Sequence, residues 1–370
     1  MRRIFLIIVI AAATAFYASA QTKQFTVIKN NAATPVKNQG RSGTCWCYSS
    51  TAMTESEMLS SDKTPLDLSE TFTVYNLYID KATKYIRRRG STRFSEGGLG
   101  QDMLNAVANY GAMPQEIYPG VGRDTVMNHD YKLEGILKSY LDSVLAANPD
   151  SIPENWKDGY SQILKSYLGE PPSEFDYNGK HYTPQSFAAA YITEKPSDFI
   201  GLTSFTHHPF YTSFVMEVPD NYNSNAYYNL PLDELINTAK QCIEKGYTLT
   251  WDADVSNIGF RQMKGVAMWT MNANDSTAFP NFTEPEFTQS IRQNLFDKQV
   301  TQDDHLMQIT GIAKDENGKE YFIVKNSWGE VGPYKGYIYV SMPYFAINTI
   351  SVIVNKKAVS KDELNKLVMN

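Results

Sequence analysis

Residues 36–46 read VKNQGRSGTCW, a glycine-rich loop that leads directly into a predicted helix whose first residue is Cys45. The thiolate is the nucleophilic form of cysteine, and a helix amino terminus favours it through partial positive charge and free N–H groups. This position therefore predicts a lowered pKa for the Cys45 thiol. Most free cysteines are buried and inert, so position alone leaves both interpretations open.

Gln39, six residues before Cys45, is a second candidate in the same loop. Its side-chain amide can donate to an oxyanion, with the Cys45 backbone N–H as the other donor. Loss of one such donor typically costs about 10²–10³ in rate. A glutamine in a surface turn would give the same pattern, so this signal is weak alone.

A candidate base comes from a predicted β-hairpin far along the chain. Apolar, β-branched runs at 306–313 and 320–325 are joined by a turn sequence at 315–318. An antiparallel hairpin about this turn places His305 nearly opposite Asn326 at its open end. There the asparagine can orient the imidazole while the other ring nitrogen faces a thiol. A core histidine and a turn asparagine are the alternative.

These signals are independent requirements of one chemistry. A Gln–x5–Cys loop, a histidine at a strand edge and the segment Asn-Ser-Trp-Gly at 326–329 together amount to a Cys-His-Asn nucleophile system. Trp328 in that segment can shield the contact between Asn326 and His305 from water. The combination favours catalysis, although each residue taken singly does not.

At these positions the sequence resembles the papain-like cysteine peptidases. The matching segments are the loop 39–46, Leu68-Ser69-Glu70, Gly97-Gly98, Asp304-His305 and 326–329. Papain-type patterns carry a cysteine three positions before the nucleophile. Here that position is Ser42, so the family's usual disulfide is missing.

In this departure the sequence resembles the bleomycin hydrolase and aminopeptidase C branch of the family. Segments 42–46, 97–114 and 168–184 resemble that branch. His305 follows Cys45 by 305 − 45 = 260 residues, against roughly 130–150 in papain-type enzymes. A large insertion accounts for the difference.

The resemblance implies an α+β fold with a helical lobe, an antiparallel β lobe and the active site in the cleft between them. It implies one peptidase domain over 21–370, divided into a helical lobe (about 36–119), a helical insertion (about 120–200) and a β-rich lobe (about 201–370). It also implies the site residues. The catalytic set is Cys45, His305, Asn326 and Gln39, and the substrate-binding set is Gly97, Gly98 and Trp328.

The first twenty residues are predicted to be a secretory signal peptide. Arg2-Arg3 is basic, residues 4–16 are almost entirely apolar, and Ala18-Ser19-Ala20 is a small-residue cleavage site. The apolar run is shorter than the roughly 20 residues of a spanning helix, so an uncleaved anchor is the lesser alternative. We therefore expect an exported protein, periplasmic or extracellular.

Composition limits the partners. The 370 residues carry 34 basic and 40 acidic side chains, a net charge of −6, which excludes nucleic-acid binding by bulk positive charge. We expect peptide substrates, no nucleic acid, no membrane after signal cleavage, and no cofactor; association into a homo-oligomer is left open. A metal is not expected, because adjacent His207 and His208 rarely face one ion.

The expected activity is that of an aminopeptidase. In the branch that the sequence resembles, a C-terminal arm blocks the non-primed side of the cleft. Here Ser360 and Glu363 predict a capping box, and a stripe of Leu364, Leu367 and Val368 follows, so we expect a short arm. An endopeptidase with an open cleft is the alternative. A non-catalytic peptide-binding protein and an acyl-transfer enzyme are further hypotheses.

Overall fold

The computed structural model describes residues 23–60, 65–120, 132–148, 150–272, 274–275 and 279–367. The predicted signal peptide, residues 1–20, and Val368 lie outside these residues. The fold is α+β, as the sequence predicts. None of the helices in the described ranges is long and apolar enough to cross a bilayer.

Helices dominate the first half of the chain, and four more lie in the described part of the second half. They are α1 (Cys45–Ser60), α2 (Glu70–Arg87), α3 (Gly100–Tyr110), α4 (Leu133–Ala147), α5 (Trp156–Leu168), α6 (Pro184–Tyr191), α7 (Leu232–Glu244), α8 (Gln289–Asp297), α9 (Met342–Asn348) and α10 (Lys361–Lys366).

Strands dominate the second half of the chain, and three more lie in the described part of the first half. They are β1 (Phe25–Asn30), β2 (Phe175–Tyr177), β3 (Lys180–Tyr182), β4 (Phe199–Thr203), β5 (Ser213–Val215), β6 (Ala226–Asn229), β7 (Leu249–Ala253), β8 (Phe260–Arg261), β9 (Val266–Ala267), β10 (His305–Asp315), β11 (Glu320–Lys325), β12 (Tyr337–Ser341) and β13 (Thr349–Asn355).

One large sheet carries most of these strands. Its order is β5-β6-β4-β13-β7-β10-β11-β12-β9-β8, with β1 also paired to β10. Strands β2 and β3 form a separate hairpin. The sheet departs from the antiparallel expectation in two places, since β4 pairs with β6 and β12 with β9 in parallel.

The hairpin of β10 and β11 is antiparallel, as predicted, with one irregularity. Gln308 faces Lys325, but the register shifts between Ile309 and Gly311. Such a bulge adds one residue to one strand. The side chains of His305 and Asn326 meet at the open end of the hairpin.

Helix α1 joins the helices to the sheet. Fourteen of its 16 residues are buried, because it packs against β10 on one side and against α2 and α3 on another. The Ser49 hydroxyl donates to the Met307 carbonyl (2.6 Å), and the Gln308 amide donates to the Ala52 carbonyl (3.0 Å). These bonds fix the second turn of α1 against the strand that begins at His305.

Two clusters of buried apolar side chains correspond to the sheet and to the helices of the first half of the chain. One lies between the sheet and helices α7 and α9, around Trp251 and Phe345. The other joins α1 and α2 to α4 and α5, and it contains Leu137 and Leu164. Leu367 packs in the first of these clusters after α10.

Candidate active site

Cys45 begins α1 at the junction with β10. The backbone N–H groups of Leu306 and Trp46 hydrogen-bond to its sulfur and favour the thiolate. Burial is the larger effect and, with the negative charges of Asp303 and Asp252, it raises the pKa of the Cys45 thiol to about 12. The predicted lowering of this pKa is therefore wrong for the protein alone, because loss of solvation outweighs the helix terminus.

His305 and Asn326 are hydrogen-bonded. The distance from His305 Nε2 to Asn326 Oδ1 is 2.8 Å, which leaves the other ring nitrogen, Nδ1, for exchange with a thiol. The Trp328 ring lies 4.7 Å from the imidazole between centroids and covers this contact. Burial lowers the pKa of His305 to about 4, so the ring is neutral near pH 7.

Asn326 is itself held in one orientation. Its Oδ1 also accepts from the Ser327 N–H (2.7 Å), and its Nδ2 donates to Gln262 Oε1 (3.0 Å). Only an amide placed with its oxygen towards His305 satisfies both partners. Sequence reasoning missed Gln262, because it lies 43 residues before His305, by 305 − 262, in a short turn without a local motif.

Gln39 lies beside this pair. Its Nε2 donates to the Ser42 carbonyl (2.8 Å), and its Oε1 accepts from the Ser327 hydroxyl (2.6 Å). An amide nitrogen has two hydrogens, so the second Nε2 hydrogen is available for a substrate. Contacts thus connect the four residues predicted to be catalytic. The Cys45 sulfur contacts the N–H of Leu306, which follows His305 in the chain. His305 is hydrogen-bonded to Asn326, and Gln39 is hydrogen-bonded to Ser327, which follows Asn326.

Gly97 and Gly98 run alongside the nucleophile loop. The Trp46 indole N–H donates to the Glu96 carbonyl (2.9 Å), and the Glu96 carboxylate accepts from the Gly43 N–H. A Cβ at Gly98 would lie 3.1 Å from the Trp46 ring. Gly98, one of the two predicted substrate-binding glycines, therefore packs directly against the residue that follows Cys45.

A buried polar network supports the loop from below. Lys37 Nζ lies 3.1 Å from Glu55 Oε1, 2.7 Å from Glu70 Oε1 and 2.7 Å from Asp67 Oδ1. Ser69 caps α2 by accepting from the Phe72 N–H (3.1 Å). The segment Leu68-Ser69-Glu70 thus starts α2 and anchors the nucleophile loop through Lys37.

The remaining cysteines are structural. Cys47 is fully buried, and its thiol contacts the Glu70 carbonyl (3.7 Å). Cys242 is fully buried among the core side chains packed around α7. Both are free thiols, as is Cys45.

Adjacent histidines rarely face one group, but His207 and His208 do. Their Nε2 atoms lie 2.9 and 3.3 Å from the two oxygens of Glu217. However, the Gln293 amide donates to His207 Nδ1 (3.0 Å), and its oxygen accepts from the Thr206 N–H. The His207 proton must then reside on Nε2, so this nitrogen donates to Glu217 and offers no lone pair to a metal.

Comparison with known proteins places this geometry in a family. The model of the peptidase C1-like family matches residues 9–370. The chain is 24% identical over 373 residues to aminopeptidase C of Streptococcus thermophilus, covering 89% of this chain and 82% of that protein. It is 23% identical over 389 residues to bleomycin hydrolase of Gallus gallus, with coverage of 89% and 82%.

A solved structure shares the fold. The crystal structure of PepW from Lactobacillus rhamnosis aligns with a TM-score of 0.75 and 20% identity. The alignment covers 92% of this chain and 84% of that one.

Proposed function

The chain belongs to the peptidase C1-like family and is a cysteine-type peptidase, and from this premise we propose that it is an aminopeptidase that works through Cys45, His305 and Asn326. The observation that carries the mechanism is the bond between His305 Nε2 and Asn326 Oδ1, 2.8 Å long. This bond orients the His305 imidazole. The next residue in the chain, Leu306, contacts the Cys45 sulfur through its backbone N–H. The names of the relatives support the aminopeptidase assignment.

The proposed reaction begins with attack of the Cys45 sulfur on the carbonyl carbon of the first peptide bond. The thiol proton passes to His305, and the oxyanion accepts from Gln39 Nε2 and the Cys45 N–H. His305 then returns the proton to the leaving amine as the C–N bond breaks. A water molecule, deprotonated by His305, hydrolyses the thioester and releases the amino acid and the free thiol.

Burial determines when the charges form. A lone thiolate at Cys45 and a lone imidazolium at His305 are each disfavoured by loss of solvation. Proton transfer within the pair creates both charges together, so each stabilises the other. Asn326 supports the imidazolium by accepting its second N–H.

Two fluorogenic substrates test the assignment. They are identical aminoacyl amides, except that one has a free amino terminus and the other is acylated. We expect hydrolysis of the free form under reducing conditions and none by Cys45→Ala. Equal cleavage of both forms would overturn the aminopeptidase assignment and favour an endopeptidase with an open cleft. Turnover by Cys45→Ala would overturn the thiol mechanism.

We also propose that the protein is exported. The support is the sequence of residues 1–20, with its basic start, apolar run and small-residue end. The test is the amino-terminal sequence of the protein recovered from an expressing bacterium, fraction by fraction. We expect it to start at Gln21 outside the cytoplasm; a full-length cytoplasmic form alone would contradict export.

A further inference from the structure

Three aspartates near the candidate nucleophile and the predicted substrate-binding glycines have no role in the mechanism above. Asp303 is two residues before His305, and Asp252 faces Leu306 across the pairing of β7 with β10. Both carboxyl groups act electrostatically on the Cys45 thiol. The surroundings of Asp252, which lies within β7, do not suit a purely structural role.

The carboxyl groups of Asp252 and Asp303 face each other, and neither has an ion-pair partner in the described part of the chain. They lie within hydrogen-bond reach of one another. Asp252 is only 1% exposed. Asp252 Oδ1 and Asp303 Oδ2 are buried and have no hydrogen-bond donor among the described residues. Buried carboxylates are costly when unpaired, so this pair requires either a shared proton or a cation from outside the chain.

Asp220 extends the pair towards the substrate-binding glycines. A Cβ at Gly97 would lie 1.9 Å from Asp220 Oδ2, so this carboxylate occupies the space directly beside the Gly97 backbone. Asp220 also raises the pKa of both Asp252 and Asp303 by its charge. The three carboxyl groups therefore form one cluster between Gly97 and the start of β10.

The cluster borders an open acidic pocket of about 480 Å³. Of the described residues that line it, Arg93 is the only lysine or arginine, and its Nε lies 3.5 Å from Asp220 Oδ1. The Arg93 side chain is 56% exposed. The acidic lining residues are Glu217, Asp220, Asp297, Asp303 and Asp304. The pocket thus has an excess of negative charge beside Asp303 and Asp220.

We propose that Asp252, Asp303 and Asp220 bind the free α-ammonium group of the substrate. The inference rests on the proposed aminopeptidase function. An aminopeptidase substrate ends one residue before the bond that is cut, so its ammonium group lies close to the thiol and the substrate-binding glycines. An ammonium group donates three hydrogen bonds, which suits several converging carboxylate oxygens. An acylated amino terminus lacks this charge and would leave the carboxyl pair without a partner.

Isosteric variants test the site. We would measure kcat/KM of Asp303→Asn and Asp252→Asn on the free and acylated substrates, with Asp150→Asn as control, since Asp150 is exposed in the loop between α4 and α5. We expect the ratio of free to acylated cleavage to fall about 10- to 100-fold in both variants, as for loss of a charged hydrogen-bond partner. The control should keep the wild-type ratio.

Folding and chemistry are checked in the same samples. Both variants should melt no lower than the wild type, since each removes one of two facing carboxyl groups, and their rates on the acylated substrate should not fall. An unchanged ratio in properly folded variants would overturn the ammonium site. Two other results would also overturn it. One is faster cleavage of the acylated substrate when its terminal residue is a lysine. The other is a change in the ratio of free to acylated cleavage when calcium or a chelator is added. A wild type without preference would instead overturn the proposed function itself.

Discussion

At the scale of single residues, the site depends on the orientation of neutral groups. The Asn326 amide is fixed by the Ser327 N–H and by Gln262, and it fixes His305 in turn. The imidazole then needs no carboxylate to choose which nitrogen faces the thiol. Because the Asn326 amide is neutral, it should stabilise the imidazolium form of His305 through a hydrogen bond and not through an opposite charge.

We predict that Asn326→Ala lowers kcat/KM about 10- to 100-fold, the usual size of a hydrogen bond to a charged group. The loss should fall mainly on kcat, because the imidazolium forms during the reaction. Steady-state kinetics with a melting curve measures both effects. Asn317→Ala, in the exposed turn of the same hairpin, is the matched control. An unchanged rate in Asn326→Ala would mean that the bond has no catalytic role.

Gln262 reaches the site through Asn326, as a positioning residue. We predict that Gln262→Leu lowers kcat more than it changes KM, since the freed Asn326 amide can rotate its nitrogen towards His305. Gln262→Glu should recover much of the activity, because a carboxylate oxygen can still accept from Asn326 Nδ2. Equal losses in both variants would point to packing instead.

At the scale of elements, the nucleophile loop depends on the buried lysine beneath it. Lys37 joins the loop to α1 through Glu55 and to α2 through Glu70. Burial by itself lowers the pKa of Lys37. The neighbouring carboxylates outweigh this effect and hold the pKa well above its usual value. The nucleophile motif and the Leu-Ser-Glu motif are therefore parts of one interaction.

Lys37→Met should destabilise the protein by about 3–5 kcal/mol, the usual cost of removing one partner of a buried ion pair. Burial raises the pKa of Glu70 to about 7, so protonation relieves part of the repulsion between Glu55 and Glu70 in acid. The destabilisation should be smaller at pH 5 than at pH 8. Denaturant unfolding at both pH values measures it, with exposed Lys29→Met as control. A loss independent of pH would contradict the charge argument.

The sequence predicts the site better than the strands around it. The hairpin pairing of His305 with Asn326 follows from two β-branched runs and one turn, which are local signals. Strand β1 is missed because its side chains are mostly exposed and its structure comes from pairing with β10. The pKa of Cys45 is also missed, because burial is a property of the assembled fold.

At the scale of the whole molecule, acidic groups from distant segments meet at the cleft. Asp220, Asp252 and Asp303 come from three separate parts of the chain. Burial is the main cause that raises the pKa of Asp303, to about 7, and Asp220 and Asp304 add to it while Asp252, by hydrogen bonding, and Arg93 oppose it. No sequence motif predicts this cluster of carboxyl groups.

Stability should therefore fall as pH rises through this region. A carboxyl whose pKa is about 7 when folded and near 3.9 when unfolded keeps its proton in the folded protein while the unfolded chain loses it. Stability then decreases between about pH 4 and pH 7. Melting curves should show Asp303→Asn gaining on the wild type across that interval. A constant difference would contradict a raised Asp303 pKa.

The most direct test of the account is the site of covalent trapping. The wild-type protein would be treated with a peptidyl epoxide that has a free amino terminus, and then digested and mapped by mass spectrometry. We expect one adduct, on Cys45, formed in proportion to the loss of aminopeptidase activity, with Cys47 and Cys242 unmodified because both are fully buried. Full activity after stoichiometric modification of Cys45, or inactivation with the adduct on another residue, would contradict it.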